Sequence, residues 1–534
     1  MSASPRTRIA ILTVIVVLSV VQPALAGTRT GDAAGGIERD VGSTIGSTVD
    51  RHPASAGATE EALRAVRADA VHARGLTGSG VDVGVIGRGF DATGVVAPHV
   101  VDRRRFGGRP GATAHDTAVA EVVSETAPAA NLYLASIGRT PTPAEYAAAV
   151  DWLTDRGVDV IVDSGSYFPT VAADERRITA AAERATENGV VFVTSAGNYA
   201  NRHWAGEGTA DGWLSFAPGD AANALGDGGR IRGRVTVRLR WRSGADYDLY
   251  LYRRIAGARD RVVAKSVGDD TGPGLTIEGF DVIVPRGRYY VAIYADDPVT
   301  PPGSVQVFAA RHPLEHTTAY GSMVAPATSE RVVAVGAASR GERRVYSSLS
   351  ASGAVDLTAP SDARTRAAAE FGGTSAAAPY VAGTAALMES GGRDPSPDRV
   401  EAILERTADG ENDTLDALAA VEAATGKAPT DRAGSRNGAA SDGARGTADD
   451  ANARDRRTVR STARNRTHAV GDRNATRTGG TERDPSTGRS ADDRTSNRSR
   501  ERNRDSDGPR NRSRGNRTDT AEQDGRTRTD RDQA

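Results

Sequence analysis

The stretch FGGTSAAAPYVAG, at residues 371–383, carries the strongest signal in the sequence. Its paired glycines permit a sharp turn with positive φ, and the alanines that follow favour a tightly packed helix. Ser375 is therefore predicted at the beginning of a helix, where backbone N–H groups lack intrahelical partners and the helix dipole is positive. A hydroxyl there can be a nucleophile whose oxyanion meets backbone donors, although an N-capping serine on a core helix is the alternative.

Two earlier segments carry side chains that suit the same chemistry. His115 opens the helix-like run AHDTAVAEVV, and Asn198 ends the buried-strand pattern VVFVTSAGN. A histidine can accept the proton of a serine hydroxyl, and an asparagine amide can donate to an oxyanion. The alternatives are a structural or surface histidine and an asparagine that closes a turn.

Together these motifs resemble those of the subtilisin-like serine proteases. Residues 371–383 match the nucleophile pattern GTS-x-A-x-P-x-VAG, and the segment around His115 resembles the histidine helix H-G-T-x-V-A, with Asp116 in place of the glycine. The resemblance implies that Ser375 attacks a peptide carbonyl, that His115 removes its proton and that Asn198 stabilises the oxyanion.

The resemblance also implies a substrate-binding loop. After the strand pattern VDVIVD, this chain reads Ser164-Gly165-Ser166, where relatives carry Ser-Leu-Gly and pair with the substrate backbone. Ser164, Gly165 and Ser166 are therefore the predicted substrate-binding residues. Asp163 precedes them, and a buried carboxylate there needs a partner, so it is either a rerouted acid or part of an altered cleft.

One departure falls on the predicted site itself. Relatives end the first strand with V-I-D-x-G, whose aspartate orients the histidine, whereas this chain reads VIGRG and has Gly87 at the position of the triad aspartate. Asp91 comes four residues later and could swing toward the histidine to replace that aspartate, but its backbone lies past the turn. Asp116 adjoins His115, but neighbouring side chains on a helix do not face each other, so we expect its carboxylate to point elsewhere.

The resemblance implies an α/β fold, a mostly parallel sheet with helices on both faces and a site at the carboxyl ends of its strands. The apolar run at residues 81–86 is typical of a buried parallel strand. The predicted division is a signal peptide at 1–26, a flexible leader at 27–69, a peptidase domain at 70–427, a β-sandwich inserted at 231–311 and a disordered low-complexity tail at 428–534. A short amphipathic helix is predicted over residues 60–74.

Residues 231–311 explain the long interval between Asn198 and Ser375. They alternate apolar and polar residues at period two, which predicts strands at 235–241, 247–253, 280–285, 288–295 and 305–310. Aspartates collect at the strand ends, and carboxylates can bind Ca²⁺, but solvated turns explain them better. No cofactor is therefore predicted, with Ca²⁺ as the alternative for Asp246, Asp248, Asp269, Asp270, Asp296 and Asp297.

The two ends of the chain predict its location. Residues 1–26 combine two arginines, a short apolar core and Ala24-Leu25-Ala26, which indicates a cleaved secretory signal rather than an uncleaved anchor. The sequence has no cysteine, so disulfides are excluded. Residues 428–534 mix arginine with aspartate and lack aromatic residues, so neither a packed core nor nucleic-acid binding is predicted.

The sequence thus predicts a secreted subtilisin-like serine endopeptidase that acts on protein or peptide substrates and is weakened by the missing triad aspartate. No membrane contact beyond the signal peptide is expected. The alternative is a catalytically inactive pseudopeptidase that serves as a secreted binding or surface protein.

Overall fold

The structure is a computed structural model that describes residues 56–242, 244–268, 274–296 and 302–426. The predicted signal peptide and low-complexity tail lie outside these residues and stay predictions. The flexible leader predicted up to residue 69 is too long, because the chain is helical from Ala56 and buries Val66 and Ala68 completely. No helix in the described ranges combines the length and the apolar character that crossing a membrane requires.

The helices are α1 (Ala56–Ala65), α2 (Ala68–His72), α3 (Ala114–Thr126), α4 (Pro143–Asp155), α5 (Ala172–Glu187), α6 (Thr374–Glu389), α7 (Pro397–Thr407) and α8 (Ala417–Thr425). The strands up to the inserted sheet are β1 (Asp82–Gly87), β2 (Val100–Arg105), β3 (Asn131–Ser136), β4 (Val160–Asp163) and β5 (Val191–Ser195). The inserted sheet holds β6 (His203–Glu207), β7 (Gly212–Trp213), β8 (Asn223–Ala224), β9 (Ile231–Trp241), β10 (Tyr247–Arg254), β11 (Arg261–Ser266), β12 (Thr276–Ala295) and β13 (Ser304–Ala309). The chain then adds β14 (Val333–Ser339), β15 (Glu342–Arg343), β16 (Leu357–Pro360), β17 (Asp362–Ala363) and β18 (Phe371–Gly372).

The main domain has an α/β architecture whose sheet is mostly parallel. Its strand order is β15-β14-β5-β4-β1-β3-β2, with β16 also paired to β14, and the β14–β15 pair is antiparallel. Strand β1 pairs in parallel with both β3 and β4, which places it inside the sheet. Alternate residues of β1 face opposite sides: Val83 and Val85 join the core beneath α3 and α6, and Ile86 joins the core beneath α4 and α5.

Helix α6 passes through the core beside α3. All of its residues from Thr374 to Met388 are buried. Gly383 lets the two helices approach closely, since a Cβ there would lie 2.5 Å from Cβ of Thr126. This close crossing fixes α6 relative to α3. The first turn of each helix carries a predicted site residue, His115 in α3 and Ser375 in α6.

The inserted segment forms one antiparallel sheet folded around its own core. Strand β12 pairs with β9 along its first half and with β10 along its second half, with an irregularity between Val284 and Gly287. The predicted break between 285 and 288 is therefore a bend within one strand. The sheet also begins at His203, before the predicted boundary at 231, because the short strands β6, β7 and β8 pair with β13 and β12.

A buried arginine joins this sheet to the main domain. Arg238 on β9 is 1% exposed, and its Nε donates to the carbonyl oxygens of Phe168 and Pro169 at 3.0 and 3.2 Å. Its Nη2 lies 2.8 Å from the carboxylate of Asp281. These carbonyls belong to the loop that follows Ser164-Gly165-Ser166, so the inserted sheet supports the loop beside the predicted site.

Candidate active site

Each predicted site residue lies at the carboxyl edge of the parallel sheet or in the first turn of a neighbouring helix. Ser164 directly follows β4 and Asn198 follows β5 by three residues, while His115 and Ser375 are the second residues of α3 and α6. The carboxyl ends of parallel strands share one edge of a sheet, where open α/β folds place their sites.

Ser375 and Ser164 exchange hydrogen bonds. The hydroxyl of Ser164 donates to the backbone oxygen of Ser375 at 3.0 Å, and the hydroxyl of Ser375 donates to the backbone oxygen of Ser164 at 3.2 Å. Ser375 is 3% exposed. The nucleophile candidate is thus held against the predicted substrate-binding loop.

The carboxamide of Asn198 is fixed by the residue before Ser375. Its Oδ1 accepts from the backbone N–H of Thr374 at 3.0 Å and from the Thr374 hydroxyl at 3.3 Å. In the described part of the chain its Nδ2 is buried without a hydrogen-bond partner. Gly373 has a φ of 86°, and a Cβ there would lie 2.8 Å from that Nδ2. Glycine is required at this position both by the backbone and by the amide it faces.

The imidazole of His115 is held from two sides. Its Nδ1 lies 2.7 Å from Oδ1 of Asp116, and its ring meets the Phe371 ring edge-on with centroids 5.3 Å apart. Its Nε2 is buried and has no hydrogen-bond partner among the described residues. A carboxylate only accepts hydrogen bonds, so this contact assigns the proton to Nδ1 and leaves the Nε2 lone pair available.

The expectation that Asp116 points away from His115 is wrong. Besides its contact with the imidazole, the Asp116 carboxylate accepts from the backbone N–H groups of Arg88 and Gly89 at 2.6 and 3.1 Å. It therefore occupies the space directly beyond Gly87, where a Cβ would lie 2.6 Å from Cβ of Asp116. The turn after β1 draws the carboxylate toward itself through these two N–H groups, a contact that helix geometry alone does not predict.

The two other aspartates considered for this role are bound elsewhere. Asp91 accepts the hydroxyl of Thr93. Asp163 accepts from the Tyr146 hydroxyl at 2.9 Å, the Tyr167 hydroxyl at 3.3 Å and the Gly165 N–H at 2.8 Å. Burial raises the pKa of Asp163 to about 6. Asp163 thus shapes the loop from inside the core, and it does not act as the rerouted acid.

Gly165, at the centre of the predicted substrate-binding loop, already has internal partners. Its N–H donates to Asp163, and its carbonyl accepts the Ser195 hydroxyl at 3.3 Å. Ser164 and Ser166 are buried. Pairing of this loop with a substrate backbone stays a prediction, and it requires the second lone pair of the Gly165 carbonyl.

The described residues contain two groups of side chains close enough to share a metal ion. These are Asp220 with Glu315 and His316, and Asp356 with Glu401 and Glu405. Neither group includes the aspartates considered for Ca²⁺. Asp248 accepts the Tyr250 hydroxyl at 2.7 Å, and Asp269, Asp270 and Asp297 lie outside the described residues.

The fold and the site define an α/β protein with a hydroxyl, an imidazole and a carboxamide placed at one edge of a parallel sheet. Residues 249–440 match the family model Peptidase_S8, described as the subtilase family. This match assigns residues 249–440 to the subtilase family. The matched region contains Ser375 and begins after His115 and Asn198.

Solved structures of proteases show a weaker similarity. The CspB protease of Clostridium perfringens is 16% identical, with a TM-score of 0.47 over 66% of this chain and 93% of that one. The prenylagaramide maturation protease PagA is 15% identical, with a TM-score of 0.39 over 67% of this chain and 98% of that one. A cold-adapted subtilisin-like serine proteinase is 15% identical, with a TM-score of 0.35 over 63% and 85%. No curated protein sequence matches the chain.

Proposed function

We propose that this subtilase is a serine endopeptidase that hydrolyses peptide bonds through Ser375. The observation that carries the proposal is the buried Nδ2 of Asn198, which has no hydrogen-bond partner in the described part of the chain. Leaving a buried donor unpaired costs about 1–3 kcal/mol, so this donor favours a ligand oxygen beside Ser375. An oxyanion is the ligand that gains most from it.

The first chemical step forms a bond between Oγ of Ser375 and the carbonyl carbon of the substrate. The hydroxyl proton passes to Nε2 of His115, and the carbonyl π electrons move onto the oxygen. Nδ2 of Asn198 and the backbone N–H of Ser375, in the first turn of α6, then hold the oxyanion. When the C–N bond breaks, His115 gives its proton to the leaving amine. Water releases the acyl group by the same steps.

The hydroxyl of Ser375 must turn before this step, because it now donates to the backbone oxygen of Ser164. A change of χ1 between staggered positions is a small movement. The same hydrogen bond favours the second candidate function, a pseudopeptidase that binds peptides in the cleft without cleaving them. In that case the hydroxyl would keep its bond to Ser164 when a ligand is present.

A fluorophosphonate probe tests the proposal, since it reacts only with an activated serine. We expect covalent labelling of the wild type at Ser375, located by mass spectrometry of the digested protein. Ser375→Ala should abolish the label. Ser390→Ala is the matched control, because Ser390 directly follows the far end of the same helix and donates to the Leu387 carbonyl. Equal labelling of the wild type and Ser375→Ala would refute the enzyme and favour the pseudopeptidase.

We also propose that the protein is secreted and acts on protein or peptide substrates. The support is the charged, apolar and small-residue pattern of residues 1–26 and the subtilase family match. N-terminal sequencing of protein recovered from the culture medium should begin after Ala26. Recovery only in the cytoplasmic fraction would contradict secretion.

A further inference from the structure

We propose that Asp116 is the positioning residue for His115 and supplies the carboxylate that Gly87 lacks. The inference rests on the proposed function for its effect on rate. It rests on the structure alone for the contact between the carboxylate and the imidazole. Asp116 Oδ1 lies 2.7 Å from Nδ1 of His115, a distance typical of a charge-assisted hydrogen bond.

The side chains of adjacent residues on a helix point in different directions, so contacts from another element must orient the Asp116 carboxylate toward His115. Those contacts come from the turn after β1. The backbone N–H groups of Arg88 and Gly89 both donate to Oδ2 of Asp116, which leaves Oδ1 for the imidazole. The carboxylate also lies in the first turn of α3, where the helix dipole stabilises negative charge.

Gly87 is the second half of the same arrangement. A Cβ at this position would lie 2.6 Å from Cβ and 2.7 Å from Cγ of Asp116, and 2.8 Å from Cζ of Phe90. No side chain fits beside the Asp116 carboxylate. The sequence thus has glycine on the strand and aspartate on the helix, the reverse of the V-I-D-x-G and H-G-T patterns. The two departures from those patterns compensate each other in space.

The consequence for His115 is a fixed tautomer. A carboxylate behind Nδ1 holds the proton there and leaves Nε2 as the acceptor on the other side of the ring. In serine hydrolases with this arrangement, changing the acid to its amide lowers turnover by about 10⁴-fold because the wrong tautomer forms. Asp116 would act through His115 and would not touch the substrate.

The first test compares labelling rates with fluorophosphonate. Asp116→Asn should label about 10³–10⁴-fold more slowly than the wild type, while circular dichroism shows that the variant is folded. Asp91→Asn is the matched control, since this nearby carboxylate binds Thr93 instead of the histidine. It should label at the wild-type rate. An Asp116→Asn protein that labels as fast as the wild type would overturn the proposal.

The second test reads the imidazole directly and needs no activity. In ¹⁵N spectra of the neutral ring, His115 should show the Nδ1–H tautomer in the wild type and in Ser375→Ala, and a mixture in Asp116→Asn. An unchanged tautomer in Asp116→Asn would overturn the positioning role, even if the rate had fallen. If the wild type does not label but the tautomer depends on Asp116, the proposed function fails and this inference stands.

The exchange of the two residues provides the third test. Gly87→Asp alone should lose labelling, because its side chain collides with Asp116. The double variant Gly87→Asp with Asp116→Gly keeps one carboxylate in that space. It should label at least about tenfold faster than Gly87→Asp or Asp116→Gly alone, which corresponds to a transition state lower by about 1.4 kcal/mol. A double variant no faster than Gly87→Asp would overturn the proposal that both positions serve one carboxylate space.

Discussion

The ring of Phe371 meets the imidazole of His115 at an interplanar angle of 86°, with centroids 5.3 Å apart. Phe371 itself is buried, four residues before Ser375. An edge-to-face contact of this kind contributes about 0.5–1.5 kcal/mol beyond the area buried. Asp116 therefore holds one nitrogen of the imidazole, and Phe371 limits how the ring can tilt.

We predict that Phe371→Leu slows fluorophosphonate labelling by about 10–100-fold, since small displacements of a reacting group are costly. Leucine keeps most of the apolar volume but cannot hold the imidazole edge-on. Phe192→Leu, in the core of β5, is the control and should lower the melting temperature to a similar extent without changing the rate. Equal rates for the two variants would show that the ring contact has no effect on the chemistry.

Gly373→Ala should damage the oxyanion site. The new Cβ would meet Nδ2 of Asn198 at 2.8 Å, and the residue would need a positive φ. We expect a loss of about 10²–10³-fold in the turnover of a peptide substrate, the usual effect of losing one oxyanion donor. Gly392→Ala separates the two causes, because Gly392 also has positive φ but faces open space. It should lower the free energy of unfolding by about 1 kcal/mol and leave turnover unchanged. Turnover in Gly373→Ala no lower than in Gly392→Ala would contradict this prediction.

Asp163 predicts a dependence of stability on pH. Its folded-state pKa of about 6 is higher than that of an unfolded aspartate, because burial disfavours the charged form. The folded state therefore keeps the proton more strongly. The bound proton therefore adds to the free energy of unfolding. This contribution is fully present below the pKa of the unfolded aspartate and is lost as the pH rises through about 6.

We expect Asp163→Asn to remove that dependence. Between pH of about 4 and about 7, the free energy of unfolding of the wild type should fall relative to the variant by up to about 3 kcal/mol. Urea unfolding across this range measures the difference. Parallel curves for the two proteins would show that Asp163 does not titrate as its burial implies.

Arg238→Met should destabilise the fold by about 3–5 kcal/mol, because it leaves a partly buried Asp281 without its cation. It also removes the donor to the carbonyls of Phe168 and Pro169. Arg254→Met, on an exposed part of the same sheet, should change stability by about 0.5 kcal/mol or less. Urea unfolding of both variants measures the two changes. Similar losses would mean that the buried contacts of Arg238 contribute little.

Local patterns revealed the framework of the protein. The apolar run at residues 81–86 predicted β1, and the alanine-rich segment after Gly373 predicted α6. Period-two alternation located β9, β10 and β13. It missed the short strands β6, β7 and β8, whose few residues carry no period, and also β11, whose sequence RVVAKS does not alternate. It divided β12 at Pro285, where the strand only bends.

The contact between Asp116 and His115 could not be predicted in this way, because the carboxylate is directed by two N–H groups on a different element. The sequence did contain a usable signal. Gly87 and Asp116 each depart from the family pattern, and the two departures have opposite sense. Considered as a pair, they indicate that the two positions share the space of one carboxylate. Considered alone, Gly87 suggests only the loss of the triad aspartate.

In this chain the carboxylate that faces Nδ1 of His115 comes from the residue after the histidine, and the end of β1 carries none. A survey that classifies subtilases as active or inactive from the residue at the end of the first strand would count this chain as lacking the triad aspartate. The better criterion is occupancy of the volume behind the imidazole, whichever element supplies the oxygen atoms. By that criterion, the residue that follows the histidine is one position to inspect in a subtilase without the strand aspartate.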